Sequence, residues 1–426
     1  MKKQIGVYMH CSGGFSVNLG KEDFDTQDIK AIKKEYTLIL INTKRDPIYH
    51  NNKRLNTLKE HYDYYNACAK ELYTHSKGKV NMYYAGGFTH TAVYLWRLLG
   101  FNKGLEVKPE PLTDTEVEFL KGAKGAIIFG EKYYGTGHMY DFCSFYQGIL
   151  SDNHFLIPIK PPTERTINKL SEVVSYDKLS YGFYHIEIQR SKDEYVDRLF
   201  RFNDKNIYTH TDIHLAMKLG LKRKLIIDGK TNFWHYERKS LVTGYQVFNN
   251  FVSYMFKLKD KKVMGAKNIL NCLWGALCQQ RRKVTTKPTE KEQSKIIAIR
   301  PNEDGELEFT IGKSMTFKFA WARLKPFLLA EGRMRISTTL KPFGDKIVRC
   351  HTDGFIAKEK LDIKTGLMKG EIKYEGYSED VEVVNSNLVK GKEEVITVED
   401  KEAEEMKRLN EAFEKMLKKD YDRLHK

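Results

Sequence analysis

Residues 346–357 read KIVRCHTDGFIA, in which a polar triplet, His351-Thr352-Asp353, stands between two apolar runs and is closed by Gly354. Apolar runs on either side of an Asp-Gly pair are the pattern of a strand, a tight turn and a second strand. Asp353 then falls at the tip of a hairpin. Taken alone, an ordinary turn is the better reading, because Asp-Gly is a common turn dipeptide. What changes that reading is the chain upstream.

Residues 125–150 carry two strand-like segments followed by the start of a helix, and Tyr140-Asp-Phe-Cys-Ser-Phe-Tyr-Gln-Gly-Ile lies at the junction. Asp141 sits where strand gives way to turn, and the amide N–H groups of a helix start are suited to a phosphate. Alone, a simple helix cap is the better reading of Asp141. A long helical region spans 245–280 and contains Lys267-Asn-Ile-Leu-Asn-Cys-Leu-Trp-Gly275. Lys267, Asn271 and Trp274 stand at i, i+4 and i+7, which is one helix face. A cation, an amide and a ring suit a triphosphate, a sugar and a base, although a solvated stripe with a buried Trp has the same spacing. Phosphoryl transfer to a nucleotide uses two divalent ions about 4 Å apart, held by carboxylates converging from distant parts of a chain. Asp141 and Asp353 are the candidates for that pair.

Together and in this order, the three stretches resemble the motifs of the family B DNA polymerases. Asp-Phe-Cys-Ser-Phe-Tyr-Gln from Asp141 is similar to Asp-x-x-Ser-Leu-Tyr-Pro of their motif A. The run from Lys267 to Gly275 is similar to Lys-x-x-x-Asn-Ser-x-Tyr-Gly of motif B. His351-Thr-Asp-Gly is similar to Asp-Thr-Asp-Ser of motif C. The closest resemblance is to the protein-primed branch of small bacteriophages and linear plasmids, through Ala320-Trp-Ala-Arg323 and a hairpin pattern at 296–312 that turns at Asp304-Gly305.

The resemblance implies an α+β right-hand polymerase: a palm with an antiparallel sheet, fingers helices and a small thumb, preceded by a small α/β exonuclease-like domain. It implies boundaries at 1–115 for that domain, 116–160 for the palm with motif A, and 161–240 for a first insertion. The fingers follow at 241–295, the hairpin insertion and remaining palm at 296–370, and the thumb and C-terminal helix at 371–426. It implies two Mg2+ or Mn2+ ions on Asp141 and Asp353, and nucleotide contacts by Lys267, Asn271, Tyr146, Trp274, Gly275 and Ser144. Tyr146 would stack under the sugar. Lys390 and Arg323 would contact DNA. Primer-template DNA, dNTPs and a priming terminal protein are the implied partners, in a host-cell cytoplasm. The sequence departs from the family at His351, where motif C has its first carboxylate, and at Gln147 and Gly354. An imidazole does not replace a carboxylate's charge, so weaker metal affinity is expected.

The N-terminal stretch Tyr83-Tyr-Ala-Gly-Gly-Phe-Thr89 resembles the second exonuclease motif, with Thr89 where the family has Asp. This implies a reduced domain without proofreading chemistry; an unrelated α/β cap is the other reading. Tyr62, Tyr64, Tyr65, Lys77 and Lys79 are candidates for guiding single-stranded template, or else core aromatics and a solvated face. Local patterning places a strand at 36–41, a helix at 56–74, a strand at 80–84, a helix at 91–99 and a linker at 103–114. A basic loop is expected from Arg281, and a C-terminal amphipathic helix at 402–424.

The chain's 426 residues suggest two to three domains. Its formal net charge of +16 favours a polyanionic partner, although Lys-rich coding gives the same balance. Six cysteines show no Cys-x-x-Cys pair and no zinc spacing, and read as reduced thiols. No apolar stretch is long enough to span a bilayer, and no signal peptide is read. Two further functions share these features. One is a template-independent nucleotidyltransferase on the same palm; the other is a non-catalytic DNA-binding scaffold.

Overall fold

The computed structural model describes residues 4–11, 14–41, 48–50, 53–175, 178–294, 296–301 and 307–391. The chain forms two compact units, each assembled from three stretches. One takes residues 1–121, 150–163 and 236–326; the other takes 122–149, 164–235 and 327–426.

The second unit is built on a six-stranded sheet. Its strands are β1 (Ile128–Gly130), β2 (Tyr133–Phe142), β3 (Ile347–His351), β4 (Gly354–Ala357), β5 (Ile372–Val383) and β6 (Val389–Lys390). They lie in the order β6-β5-β2-β4-β3-β1, with every pair antiparallel. The strand–turn–strand expected at 346–357 is β3 and β4, and the two strands expected before residue 143 are β1 and β2. Met139, Val348, Ile356, Val381 and Val383 form a buried cluster on this sheet. Burying each such side chain contributes about 1.5–3 kcal/mol before entropy is counted. Successive side chains alternate between faces, so Asp141, two residues beyond Met139, emerges on the face of that cluster at the strand's end.

The helix Leu324–Leu340 carries Arg333, whose guanidinium pairs with Asp212 at 2.8 Å with both groups buried. Arg333 Nη1 also donates to the carbonyls of Lys124 and Gly125 at 2.6 and 2.8 Å, which anchors the segment leading into β1. The stretch 163–240, which shows no single period, supplies five short strands to a second sheet centred on Gly182–Ile188. Each is too short for its pairing to be read from its own residues.

The first unit holds a four-stranded sheet, Asp23–Thr26, Gly14–Asn18, Gln4–Cys11 and Tyr36–Leu40 in that order; only the last pair is parallel. Helices Leu58–His75, Phe88–Leu99, Gly244–Asp260 and Ala266–Leu277 belong to the same unit. The first and third begin with capping boxes, Thr57 with Glu60 and Thr243 with Gln246. The helical run at 245–280 is two helices because Lys262 (φ 55°) and Gly265 (φ 81°) turn left-handed between them. Gly265 is left-handed and a Cβ there would stand 3.1 Å from Cys68 Sγ, so a side chain at this position is strained.

Two local expectations are corrected. Residues 80–84 are not a strand; Met82–Ala85 is a short helix, because the Asn81 side chain accepts from the Tyr84 amide and starts a helical turn. The basic loop expected from Arg281 is instead the strand Gln280–Thr285, recruited by pairing with Leu307–Phe317. The hairpin expected at 296–312 is present as Ile296–Pro301 against Leu307–Phe317, and its Asp304-Gly305 tip lies outside the described residues. The helix expected at 402–424 also lies outside them. Tyr64 and Tyr65 are buried against Phe88, so they serve the core rather than a strand of template. Among the described residues, no helix is long and apolar enough to cross a membrane.

Candidate active site

The β3–β4 hairpin turns in two residues, Thr352 and Asp353, because His351 pairs directly with Gly354. The Asp353 amide donates to the His351 carbonyl at 2.9 Å, and Thr352 takes a φ of 67°. A three-residue turn with a positive φ at its centre is rare and strained, the more so for a β-branched residue. The neighbouring strands hold it on both sides. The Thr352 amide donates to the Ile127 carbonyl at 3.1 Å, and the Phe142 amide donates to the Asp353 carbonyl at 3.0 Å.

The same pairing fixes Asp141. It is a strand residue of β2, four positions before the helix Phe145–Leu150 begins, so it lies outside that helix's first turn. Asp141 stands opposite Gly354, and a Cβ there would come 3.2 Å from Asp141 Oδ1. The absent side chain leaves room for the carboxylate. Asp141 and Asp353 line one cleft of about 200 Å3, together with His351, Arg349 and Glu375. Arg349 is buried and donates from Nε to the Ser386 carbonyl at 2.9 Å.

Beyond Asp141, Ser144 takes a φ of 48° and its carbonyl accepts from Gly148. Cys143 is clasped by the two residues just before β5, its carbonyl accepting from the Gly370 amide and its amide donating to the Glu371 carbonyl. Tyr146 is buried, and its ring lies 3.0 Å from where a Cβ on Gly332 would be. Burial pushes the Tyr146 hydroxyl up to about 12; Arg333 opposes the shift, and the charge of Asp353 adds to it. The tyrosine of the first motif and the carboxylate of the third therefore share one electrostatic environment.

Lys267, Asn271, Trp274 and Gly275 belong to the helix Ala266–Leu277 of the first unit. Lys267, Asn271 and Gly275 are exposed and Trp274 is half-buried, while Ile269, Leu270, Leu273, Ala276 and Leu277 are buried. The one-face arrangement is present. Lys390 is exposed at the end of β6, with Nζ 2.8 Å from Glu382. Arg323 is a correction. It is 1% exposed, pairs with Glu116 at 2.5 and 2.8 Å, and donates to the carbonyls of Glu110 and Pro111. Its guanidinium is committed to the protein interior and contacts no nucleic acid from there.

Among the described residues, no group of three or more His, Cys, Asp or Glu is arranged to hold a metal ion. Two convergent carboxylates still fit a hard cation of the Mg2+ kind. That ion keeps several waters and takes one or two carboxylates plus substrate phosphates, rather than a closed protein cage. The sequence reading passed over Arg349 and Glu375. The one signal for Glu375 is Gly376, since a glycine inside a strand often marks a bulge.

No protein-family model matches the sequence, and no curated protein does. The fold nevertheless resembles that of solved DNA polymerases. Phi29 DNA polymerase complexed with primer-template DNA matches with a TM-score of 0.55 at 15% identity, over 88% of this chain and 69% of that one. The same polymerase complexed with single-stranded DNA matches at 0.53 and 16% over the same shares. Its ternary complex with primer-template DNA and incoming nucleotide matches at 0.51 and 16%, over 82% of this chain and 63% of that one. At this identity the likeness establishes the fold.

Proposed function

We propose that the chain is a DNA polymerase, adding deoxynucleotides to a primer 3′-hydroxyl or to the hydroxyl of a priming protein. The observation that carries the reading is Asp141 on β2 and Asp353 in the turn of the neighbouring β3–β4 hairpin, both lining one cleft. Mg2+ or Mn2+ held by these two carboxylates would supply charge for the triphosphate and lower the pKa of the attacking hydroxyl. The chain's own residues do the rest. The strained turn at Thr352 fixes the Asp353 carboxylate relative to Asp141. Tyr146, wedged against Gly332, offers a rigid ring edge to a sugar. Lys267 supplies a cation for a triphosphate, with Asn271, Trp274 and the bare backbone of Gly275 along the same face.

Thr89 lies in the first turn of the helix Phe88–Leu99, where a proofreading site would need a carboxylate. We read residues 1–115 as a reduced exonuclease-like support without hydrolytic activity. The test is primer extension with dNTPs and Mg2+ or Mn2+ on templated and template-free primers, comparing wild type with Asp141→Asn and Asp353→Asn. Template-directed extension that both substitutions abolish supports the reading. Untemplated addition abolished by the same changes transfers it to a terminal nucleotidyltransferase. Extension that survives both substitutions overturns the assignment of the site.

A further inference from the structure

Tyr374 and Tyr377 stand three positions apart on β5, and strict alternation would send them to opposite faces of the sheet. The register prevents this. Tyr374 lies opposite Tyr140 and Tyr377 opposite His138, so a β-bulge absorbs the extra residue between them. Gly376, at φ 118°, supplies the positive φ inside that bulge. Tyr140 and His138 share one face, and Met139 and Asp141 share the other. Both β5 tyrosines therefore emerge on the side away from the Asp141 carboxylate. The His138 ring lies within 24° of parallel to both, its centroid 6.0 Å from that of Tyr374 and 5.4 Å from that of Tyr377. His138 Nδ1 and the Tyr374 hydroxyl are hydrogen-bonded at 2.9 Å, which ties the rings into one array.

The array is half-buried rather than sealed in the core, and it borders a groove of about 370 Å3 lined by Tyr140, Tyr374, Lys360, Leu361 and Leu367 among others. Lys360 is exposed, with its ammonium 5.5 Å from the Tyr374 ring centroid. Among the described residues, no carboxylate lines this groove. Leu367 is 71% exposed, so apolar surface lies uncovered at its edge. Aromatic rings beside a cation suit a strand whose bases are unstacked and whose phosphates are accessible, whereas a duplex keeps its base faces internal. We infer that this groove binds single-stranded nucleic acid, with a base stacked on the Tyr374 ring and a phosphate at Lys360. The flexible lysine stem lets the ammonium turn from the ring to meet that phosphate. The formal charge of +16 favours the same class of partner. The inference does not depend on the polymerase reading, because neither Asp141 nor Asp353 lines the groove.

The experiment is fluorescence anisotropy of a short labelled oligothymidylate with the full chain over a range of salt. The same oligonucleotide carrying iododeoxyuridine is photocrosslinked, and the crosslinks are located by peptide mass spectrometry. Wild type is compared with Tyr374→Ala, Tyr374→Phe and Lys360→Ala, with thermal unfolding as a folding control. Crosslinks are expected at Tyr374 or Tyr377. Affinity is expected to fall about tenfold in Tyr374→Ala and to be kept in Tyr374→Phe, which retains the ring. In Lys360→Ala the slope of log affinity against log salt is expected to shrink by about 0.7, the value of one phosphate contact on a single strand. Wild-type affinity in Tyr374→Ala with a wild-type slope in Lys360→Ala overturns the inference, as do crosslinks confined to other segments. Equal losses in Tyr374→Ala and Tyr374→Phe overturn the stacking. A duplex that binds as tightly and loses as much in Tyr374→Ala overturns the assignment to single strands. If Tyr374→Ala unfolds, the crosslink positions and the Lys360→Ala slope decide alone.

Discussion

Gly275 is exposed in the last turn of the helix Ala266–Leu277, and open space lies where its Cβ would be. Nothing in the packing asks for glycine there, and in a helix interior it costs about 1 kcal/mol relative to alanine. Gly275→Ala is therefore expected to raise stability in a denaturant titration by about 1 kcal/mol. If this face meets a nascent base pair, the same change lowers kcat/KM for dNTP incorporation. Added stability with unchanged kcat/KM would remove Gly275 from the nucleotide face. His210 is a second residue with a measurable signature. It is packed beside Tyr181 and Phe327, and burial, reinforced by His214, pushes its imidazole down from 6.5 to about 3. The folded-state value lies below the unfolded one, so its contribution is complete above about pH 6.5 and is lost as pH falls towards 3. His210→Phe should flatten the fall in stability over that window; an unchanged pH slope would count against a buried neutral imidazole.

The hairpin of β3 and β4 stores strain at Thr352, of a kind that costs about 1–3 kcal/mol for a non-glycine residue. Thr352→Gly is expected to stabilise the protein by about 1 kcal/mol, less than the full strain because glycine loses more entropy on folding. It should also slow incorporation by loosening Asp353. Faster or equal turnover in that variant would show that the strained turn does not position the carboxylate. This hairpin was readable in the sequence because its signals are local: apolar runs, a polar triplet and Asp-Gly. The same holds for the helix face of Lys267, Asn271 and Trp274, which a helical period marks directly. Where the reading failed, a side-chain cap or a distant partner decides. Val80 to Tyr84 carries strand-forming residues, yet the Asn81 cap starts a helix there. Arg281 and its neighbours become a strand only because Leu307–Phe317 pairs with them. The burial of Arg323 depends on Glu116, a partner 207 positions away.

That pair matters at the scale of the whole chain. Glu116 comes from the first of the three stretches that build its unit, and Arg323 from the last. Tyr236 also donates to Glu116, at 2.9 Å. Removing one member leaves a buried charge uncompensated, so Glu116→Ala is expected to destabilise the protein by about 3–5 kcal/mol. Glu116→Leu with Arg323→Met should fall closer to wild type, because an apolar pair of similar volume leaves no orphan charge. Equal losses in the single and double variants would contradict this account.

At the same scale, the likeness to a DNA polymerase fold and the shared cleft of Asp141 and Asp353 support one proposal: that a divalent cation works in the cleft between β2 and the β3–β4 turn. Anomalous diffraction from crystals grown with Mn2+, primer-template DNA and a non-hydrolysable dNTP tests it most directly. The account predicts Mn2+ density coordinated by the Asp141 and Asp353 carboxylates with the triphosphate bound alongside. Mn2+ and triphosphate bound elsewhere, with that cleft empty, would contradict it.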